Sequence, residues 1–423
     1  MINYKGYTFL LLSSFLLSAC WDKIEVEERG FVSAIAIDLA NSQSAIEINQ
    51  QGPQQQKNET PLQTDERIFN QNKDEDYGLH ENNKFKLTQQ LIVPSGLSQA
   101  QNSGGNTVPA FRNLSETGDT IIEMNRDMIK QAGRITNVTH LNVVLFSKAV
   151  ASEEDLFADL MDIFLREKEM LRSVKVGLTK EHAGDFLYIV PENEKIPSTY
   201  ISKLLENKSN LEIAQPLTVG DVQDLLLSKK SFAIPVLNTV NATTINYTGL
   251  SIYNAPQKKV VGMLIGDQAK GLNFLNSKDQ TGTINLKMNN RDITFEILKV
   301  NRKLSLKNNN KNQLKFQFTL HVEAGIAEQY GSLDVMNEEH YKELKKALEK
   351  EITRITTQTV SLLQKEVQTD LLGLNTHLYN YHYPLWSKVK EDWETGQHYF
   401  FKSNVTTDVI VTIAKPGNII KSN

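Results

Sequence analysis

The one cysteine of this 423-residue chain, Cys20, stands directly behind an apolar run, and that placement constrains everything after it. With no second cysteine, residues 21–423 can form no internal disulfide, cysteine-based zinc site or redox motif. A chain of this length must hold itself together by burying apolar surface, and its length suggests two to three domains. Lys5 and the amino terminus precede the run Thr8–Leu17, and the small pair Ser18-Ala19 precedes Cys20. This is the charged, apolar and small-residue pattern of a secretory leader, expected to span residues 1–19. Its apolar stretch of roughly ten residues is too short to cross a hydrocarbon core, which takes about 20 in a helix. Leu17-Ser18-Ala19-Cys20 also fits the bacterial lipobox, in which diacylglycerol alkylates the cysteine thiol before cleavage. Lipidation is therefore expected at Cys20, and two acyl chains anchor stably where one is marginal.

Charge points away from polyanions. The chain carries a net charge of −4 and a pI near 6.1. No basic stripe with interleaved aromatics is visible along it, so nucleic acid is not expected as a partner. No later stretch approaches transmembrane length, which leaves the lipid as the expected membrane attachment.

Hydrophobic patterning predicts a mixed α/β chain. Val32–Asp38 ("VSAIAID") reads as a buried strand. Gln50–Asn83 is polar and poor in large apolar residues, so it predicts a surface loop, and Gln99–Pro109 predicts another. Phe85–Val93 returns to strand-like alternation. Ile121–Ala132 places Ile121, Met124, Met128 and Ala132 on one helical face. Ser152 and Asp155 resemble a capping box for a helix burying Leu156, Phe157, Leu160, Ile163 and Phe164. Ser173–Thr179 alternates as a strand, and a further helix is expected after Thr218, with Asp221 three residues on. Strand-like runs follow at Phe232–Val240, Thr244–Tyr253 and Lys259–Ile265. "DITFEILKV" and "QLKFQFTLHVEA", joined by a polar loop, predict adjacent antiparallel strands with one wet face. From Asn337 to about Leu372, apolar residues at helical spacing predict a long helix across that sheet, and Val405–Ile413 predicts a closing strand. The fold class expected is α+β, or mixed α/β, with antiparallel-rich sheets and a long C-terminal helix packed on one of them.

The search for chemistry finds no G-x-S-x-G elbow, dinucleotide fingerprint or P-loop. His377 and His382 are five apart, a spacing that does not set two imidazoles on one helical face. "NYHYPLW" (Asn380–Trp386) reads as a packed aromatic corner. Asn70–Glu81 places Asn72, Asp74 and Glu81 at calcium-loop positions. It lacks the first Asp and has Glu75 where the sharp turn needs glycine, so a solvated loop explains it better. No catalytic, cofactor or metal residues are assigned, and no enzyme activity or small-molecule ligand is expected.

Cys20-Trp21-Asp22, then Glu25, Val32, Ala34 and Ile37-Asp38, resembles the opening of the Ger(x)C family, the lipoprotein C subunits of nutrient germinant receptors in spore-forming bacteria. Further blocks agree in order and spacing. Phe85–Pro94 resembles the family's strand ending in proline. Gly133-Arg134 with His140 resembles its Gly-Arg…His element, and Arg166-Glu167 with Arg172 its Arg-Asp…Arg segment, with Glu in place of Asp. "TGLSIYNAPQKKVVGML" resembles the family's Gly-x-x-x-Phe…Lys-x-Val-Gly-x-Leu block, with Tyr253 in the aromatic place. "QTDLLGL" with Pro384 and Trp386 is similar to its Gln-x-Asp…Gly…Pro-x-x-Trp region. The segment around 42–83 looks like an insertion, and the usual glycine-rich run is thinned to Gly373.

The resemblance implies three mixed α/β domains, here 20–200, 201–285 and 286–423. It implies a non-enzymatic component lipid-anchored at the outer face of the spore's inner membrane, needed for nutrient-triggered germination alongside membrane subunits A and B. A substrate-binding lipoprotein serving an importer is the alternative, although no repeated lobe is visible. A surface hydrolase is a third class and lacks a nucleophile or metal constellation.

Overall fold

The run expected as a buried strand becomes the middle of a nine-stranded sheet. The computed structural model describes residues 29–40, 85–97, 108–207, 209–276, 281–288, 291–329 and 337–414. The leader, Cys20, the segment 42–83 and the calcium-loop candidate Asn70–Glu81 lie outside the described residues. The sheet's strands are β1 (Arg29–Leu39), β2 (Phe85–Ile92), β3 (Phe111–Gly118), β4 (Ile135–Asn137), β5 (Val143–Ser147), β6 (Lys175–Thr179), β7 (Phe232–Asn241), β8 (Thr244–Asn254) and β9 (Lys259–Leu264). They lie in the order β3-β2-β1-β5-β6-β7-β8-β9, with β4 beside β1. The centre, β1-β5-β6-β7, is parallel, and both wings are antiparallel.

Parallel strands are covered on both faces, and the sequence supplies apolar residues accordingly. On one face Val144, Phe146, Val176 and Leu178 pack against helices α1 (Ile121–Ala132), α2 (Leu156–Arg166) and α4 (Val219–Leu227), the chain having passed through α3 (Pro197–Glu206) in between. On the other, Ala34, Ala36, Val143 and Leu145 meet Phe186, Leu187, and Ile201 and Leu205 of α3. The predicted helix starts are mixed. Thr218 and Asp221 form the expected capping box on α4. Ser152 instead closes a short helix, Lys148–Ser152, its Oγ donating to the Lys148 carbonyl at 2.8 Å. A serine hydroxyl can bond back one turn as readily as it caps forward, and α2 begins after Asp155 at φ 63°.

The C-terminal half builds a second sheet. Helix α5 (Asp267–Asn276) leads to β10 (Gly282–Met288), β11 (Arg291–Asn308) and β12 (Lys315–Gln329), which pair antiparallel in sequence order. The long helix α6 (Glu338–Ser361) then lies across them. Next come α7 (Leu374–Tyr381) and α8 (Tyr383–Val389), and β13 (Asn404–Ile413) pairs parallel with β12. Leu344, Leu348, Ile352 and Ile355 of α6 pack on Phe295, Ile297, Leu320, Val322 and Val411, which is the predicted helix-on-sheet layer. The helix stops at Ser361, earlier than its apolar period suggests, and passes into a single π turn, Leu362–Glu366. Two of its four threonines, Thr356 and Thr359, are fully buried and donate to the carbonyls of Ile352 and Ile355 at 2.9 and 3.1 Å, while Thr357 faces solvent.

Helices α5 and α6 approach closely at Gly271, where an added Cβ would meet Thr359 Oγ1 and lie 2.9 Å from the Ile355 carbonyl oxygen. Backbone atoms cannot give way as a flexible side chain can. Gly271→Ala is therefore expected to destabilise the fold by about 1–3 kcal/mol, and Ile352→Ala by about 2–5 kcal/mol. Exposed Lys346→Ala should stay within about 0.5 kcal/mol of the parent. Urea unfolding of the three variants checks the ranking.

Candidate functional site

A carboxylate held by backbone amides organises the region between the two sheets. After the π turn, Gln368 takes φ 50° and Gly373 φ 74°, so the chain between them curls around one side chain. Asp370 Oδ1 accepts from the amides of Leu372 and Leu374 at 3.0 and 3.2 Å. Its Oδ2 accepts from the Asn375 amide at 2.8 Å and the Trp393 indole at 2.9 Å. These donors include the otherwise orphaned amides at the start of α7, where a carboxylate is favoured. Trp386 is tied to the same helix, its indole donating to Asn375 Oδ1 at 2.8 Å. The Gln-x-Asp…Gly…Trp pattern read in the sequence is thus a helix-start anchor.

Glu394 extends this anchor to the first sheet. It accepts from the Asp370 amide at 2.5 Å and from Ser231 Oγ, just ahead of β7, at 2.9 Å. Ser231 Oγ in turn accepts from the Ala255 amide at 3.0 Å, and Asn254 donates to Thr369 Oγ1 at 2.8 Å. Beside this link opens a cleft of about 460 Å³, lined by Lys230, Phe232, Leu272, Arg302, Trp393 and Glu394 among others. Burial, helped by the neighbouring Asp370 charge, pushes the Glu394 carboxyl up to about 7. Burial also raises Asp370, against the downward pull of its four N–H donors. The arrangement offers a neutral-pH proton site under a rim of cations.

Other residues marked in the sequence prove to be structural. Asp38 is fully buried and accepts from the amides of Ala183 and Gly184 at 2.7 and 2.9 Å, with His182 Nδ1 at 3.1 Å. Gly133 closes α1 at φ 62°, and His140 meets Phe31 edge to face at 4.9 Å. Arg172 fastens the loop before β6 to α4 through Asp224 at 3.1 Å. Tyr253 is buried and stacks on Phe232 at 4.8 Å. His377 and His382 are neighbours at 5.7 Å; burial first, then the charges of His382 and Arg302, lowers His377. The aromatic corner expected at "NYHYPLW" forms in part: Tyr383 packs on Tyr379 and Trp386 with ring centroids at 5.9 and 5.2 Å, but the cluster lies at the surface, with Tyr381 72% and Tyr383 57% exposed. Among the described residues no group of three or more His, Cys, Asp or Glu could hold a metal, and no helix is long and apolar enough to cross a membrane. Glu394 and Ser231 were not marked in the sequence, and nothing in "KEDWETG" or "KKSFAI" distinguishes them from surface residues.

Comparison with known proteins follows the same two halves. A family model described as "Spore germination protein N-terminal domain" matches residues 73–239, and one described as "Spore germination B3/ GerAC like, C-terminal" matches 248–417. The chain belongs to the Ger(x)C family. Spore germination protein YndF of Bacillus subtilis is 24% identical, over 95% of this chain and 94% of its own length. Spore germination protein B3 of the same organism is 23% identical, over 98% and 97%. The crystal structure of the GerBC protein aligns with a TM-score of 0.56 at 21% identity, covering 78% of this chain and 94% of that one, and supports the mixed α/β fold. The border between the two Ger(x)C regions falls in the β7–β8 hairpin, so both regions contribute strands to one sheet.

A carboxyl raised in the folded state holds a proton that the unfolded chain releases near pH 4.3. The stability tied to Glu394 is therefore complete below that pH and is lost as pH rises through about 7. Thermal stability should fall from pH 5 to 7.5, Asp370 acting in the same sense, by at most about 1.4 kcal/mol per pH unit from Glu394. Glu394→Gln keeps an acceptor and should flatten the profile. Melting curves across this range check it, and equal slopes in parent and variant would contradict the shift.

Proposed function

We propose that this protein is the lipid-anchored C subunit of a spore germinant receptor, acting as a non-enzymatic interaction component beside membrane subunits A and B. The observation that carries this reading is the near end-to-end match to spore germination proteins, with 95% of this chain aligned to YndF. Cys20-Trp21-Asp22 supports a diacylglycerol anchor on Cys20, and with it the proposed position of the folded part at the outer face of the spore's inner membrane. Anchoring raises the effective concentration of the folded part near its partners, so a modest interface suffices for assembly. The domain division 20–200, 201–285 and 286–423 belongs to the same reading.

The cleft beside Glu394 is the one observation favouring the importer-type alternative. Against it, the two sheets differ in strand number and order, whereas such binding proteins bring two similar lobes around their ligand. Calorimetry with amino acids and sugars separates the two.

Spores lacking the gene, complemented with the parent or with Cys20→Ala, provide the functional test. Dipicolinate release should fail for one nutrient class, return with the parent and return poorly with Cys20→Ala. Normal germination in a strain also stripped of redundant receptors would sink this reading.

A further inference from the structure

Three cations line the cleft between the sheets without partners of their own. Arg302 enters it from β11, and Lys229 and Lys230 from the turn between α4 and β7. Among the described residues, none of the three side chains makes a hydrogen bond or an ion pair. Arg302 lies on the covered face of the second sheet with Leu304 and Leu306, its guanidinium carbon 6.0 Å from the centre of the Phe318 ring. Burial lowers its pKa, as expected of a charge drawn from water without compensation, yet the side chain stays open to the cleft.

The acids beside these cations are already engaged. Asp370 turns both oxygens to its four donors, and Glu394 accepts from the Asp370 amide and Ser231 Oγ. Glu391 pairs with Lys390, the fourth cation of the lining, at 3.2 Å. Leu272 of α5 and the buried Trp393 line the same space, whose volume of about 460 Å³ is that of a small-molecule site. No motif marks it, because its charges come from three separate stretches of the chain.

We propose that this cleft binds a small organic acid, its carboxylate drawn to Arg302 and Lys230 and its apolar body against Leu272. A planar guanidinium matches a carboxylate through two parallel hydrogen bonds. Phosphate fits less well. The amides that usually cradle it at a helix start are here those of Leu374 and Asn375, and Asp370 has taken both. A zwitterion fits less well too, since uncompensated cations repel its ammonium. The ligand class is therefore an acid without an amino group, unlike the amino acids of the importer alternative. The proposal goes beyond the receptor reading. A ligand here touches Lys230 at the edge of the first sheet and Arg302 of the second, so its binding tightens the junction between them.

The test titrates benzoate into the chain from residue 20 onward, with Cys20→Ser so that no lipid is attached. Heat and melting temperature are read. At about pH 6 most Glu394 carboxyls hold their proton and repel an anion little. Benzoate should bind and raise the melting temperature, as any ligand of the folded state alone does. Benzamide, its uncharged isostere, and free alanine should do neither. Arg302→Gln should weaken benzoate binding at least about tenfold, through loss of a charge-assisted pair. Lys230→Gln should weaken it several-fold, and this residue is exposed, so the outcome can be read even if Arg302→Gln does not fold. Lys307→Gln, on the open face of the second sheet, should leave binding unchanged, and circular dichroism confirms that each variant is folded. Absence of benzoate binding, equal binding of benzamide or alanine, or parent-like binding by a folded Arg302→Gln or Lys230→Gln variant overturns the proposal. So does tighter binding of inorganic phosphate, which would replace the carboxylate class. The receptor reading rests on the family match and is tested in spores, so failure here leaves it standing. Alanine binding would instead shift weight to the importer alternative.

Discussion

Everything in this molecule hangs on the β7–β8 hairpin. Strand β7 joins the parallel centre of the large sheet through Val236 and Leu237, while β8 turns back along it with Tyr253 opposite Phe232. From β8 the chain continues through β9 and α5 into the second sheet. The large sheet faces α5 and the α7–α8 region through one apolar cluster that includes Leu250, Ile252 and Leu264 from β8 and β9. A protein with no second cysteine has no covalent brace between its halves. Shared backbone pairing and a shared apolar cluster take that place, and the Ser231–Glu394–Asp370 link adds direction to a contact that burial alone leaves unoriented.

The link also shows why polar groups tolerate such a position. A buried carboxylate is costly unless donors meet it. Asp370 meets four, two of them amides of the first turn of α7 that would otherwise go unpaired. Glu394 meets two, and its remaining cost appears as a raised pKa rather than as a broken structure. Burial thus raises both carboxyls, Asp370 against the pull of its four donors and Glu394 up to about 7.

Period and alternation made most of the elements legible in the sequence. Val32–Asp38, the paired runs of β11 and β12, and the roughly 3.6-residue apolar spacing of α6 each carry a pattern that matches the backbone conformation found. What stayed hidden had no pattern to read. Residues 143–147 form a five-residue strand buried throughout, too short to separate from a helical fragment by periodicity. The parallel pairing of β13 with β12 depends on a connection that travels through α6, α7 and α8, which no local signal announces. The candidate site was half legible: Asp370, Gly373 and Trp386 stood out through the family resemblance, whereas Glu394 and Ser231 acquire their role only when residues 163 positions apart meet.

The thinned glycine run after Asp370 illustrates how such a site absorbs sequence change. The turn has two residues with positive φ, and only one is glycine. A left-handed conformation costs a residue with a Cβ roughly 1–2 kcal/mol, and Gln368 accepts it because the turn delivers Thr369 to Asn254 and Asp370 to its four donors. Gly373 is different: it precedes α7 at φ 74° with nothing within 4 Å of an added Cβ, so its requirement is conformational and not steric. Further glycines around it would add unfolded-state entropy without supplying a needed angle. One glycine at the position where the backbone must turn over is enough, provided the carboxylate beside it gathers the amides that the turn exposes.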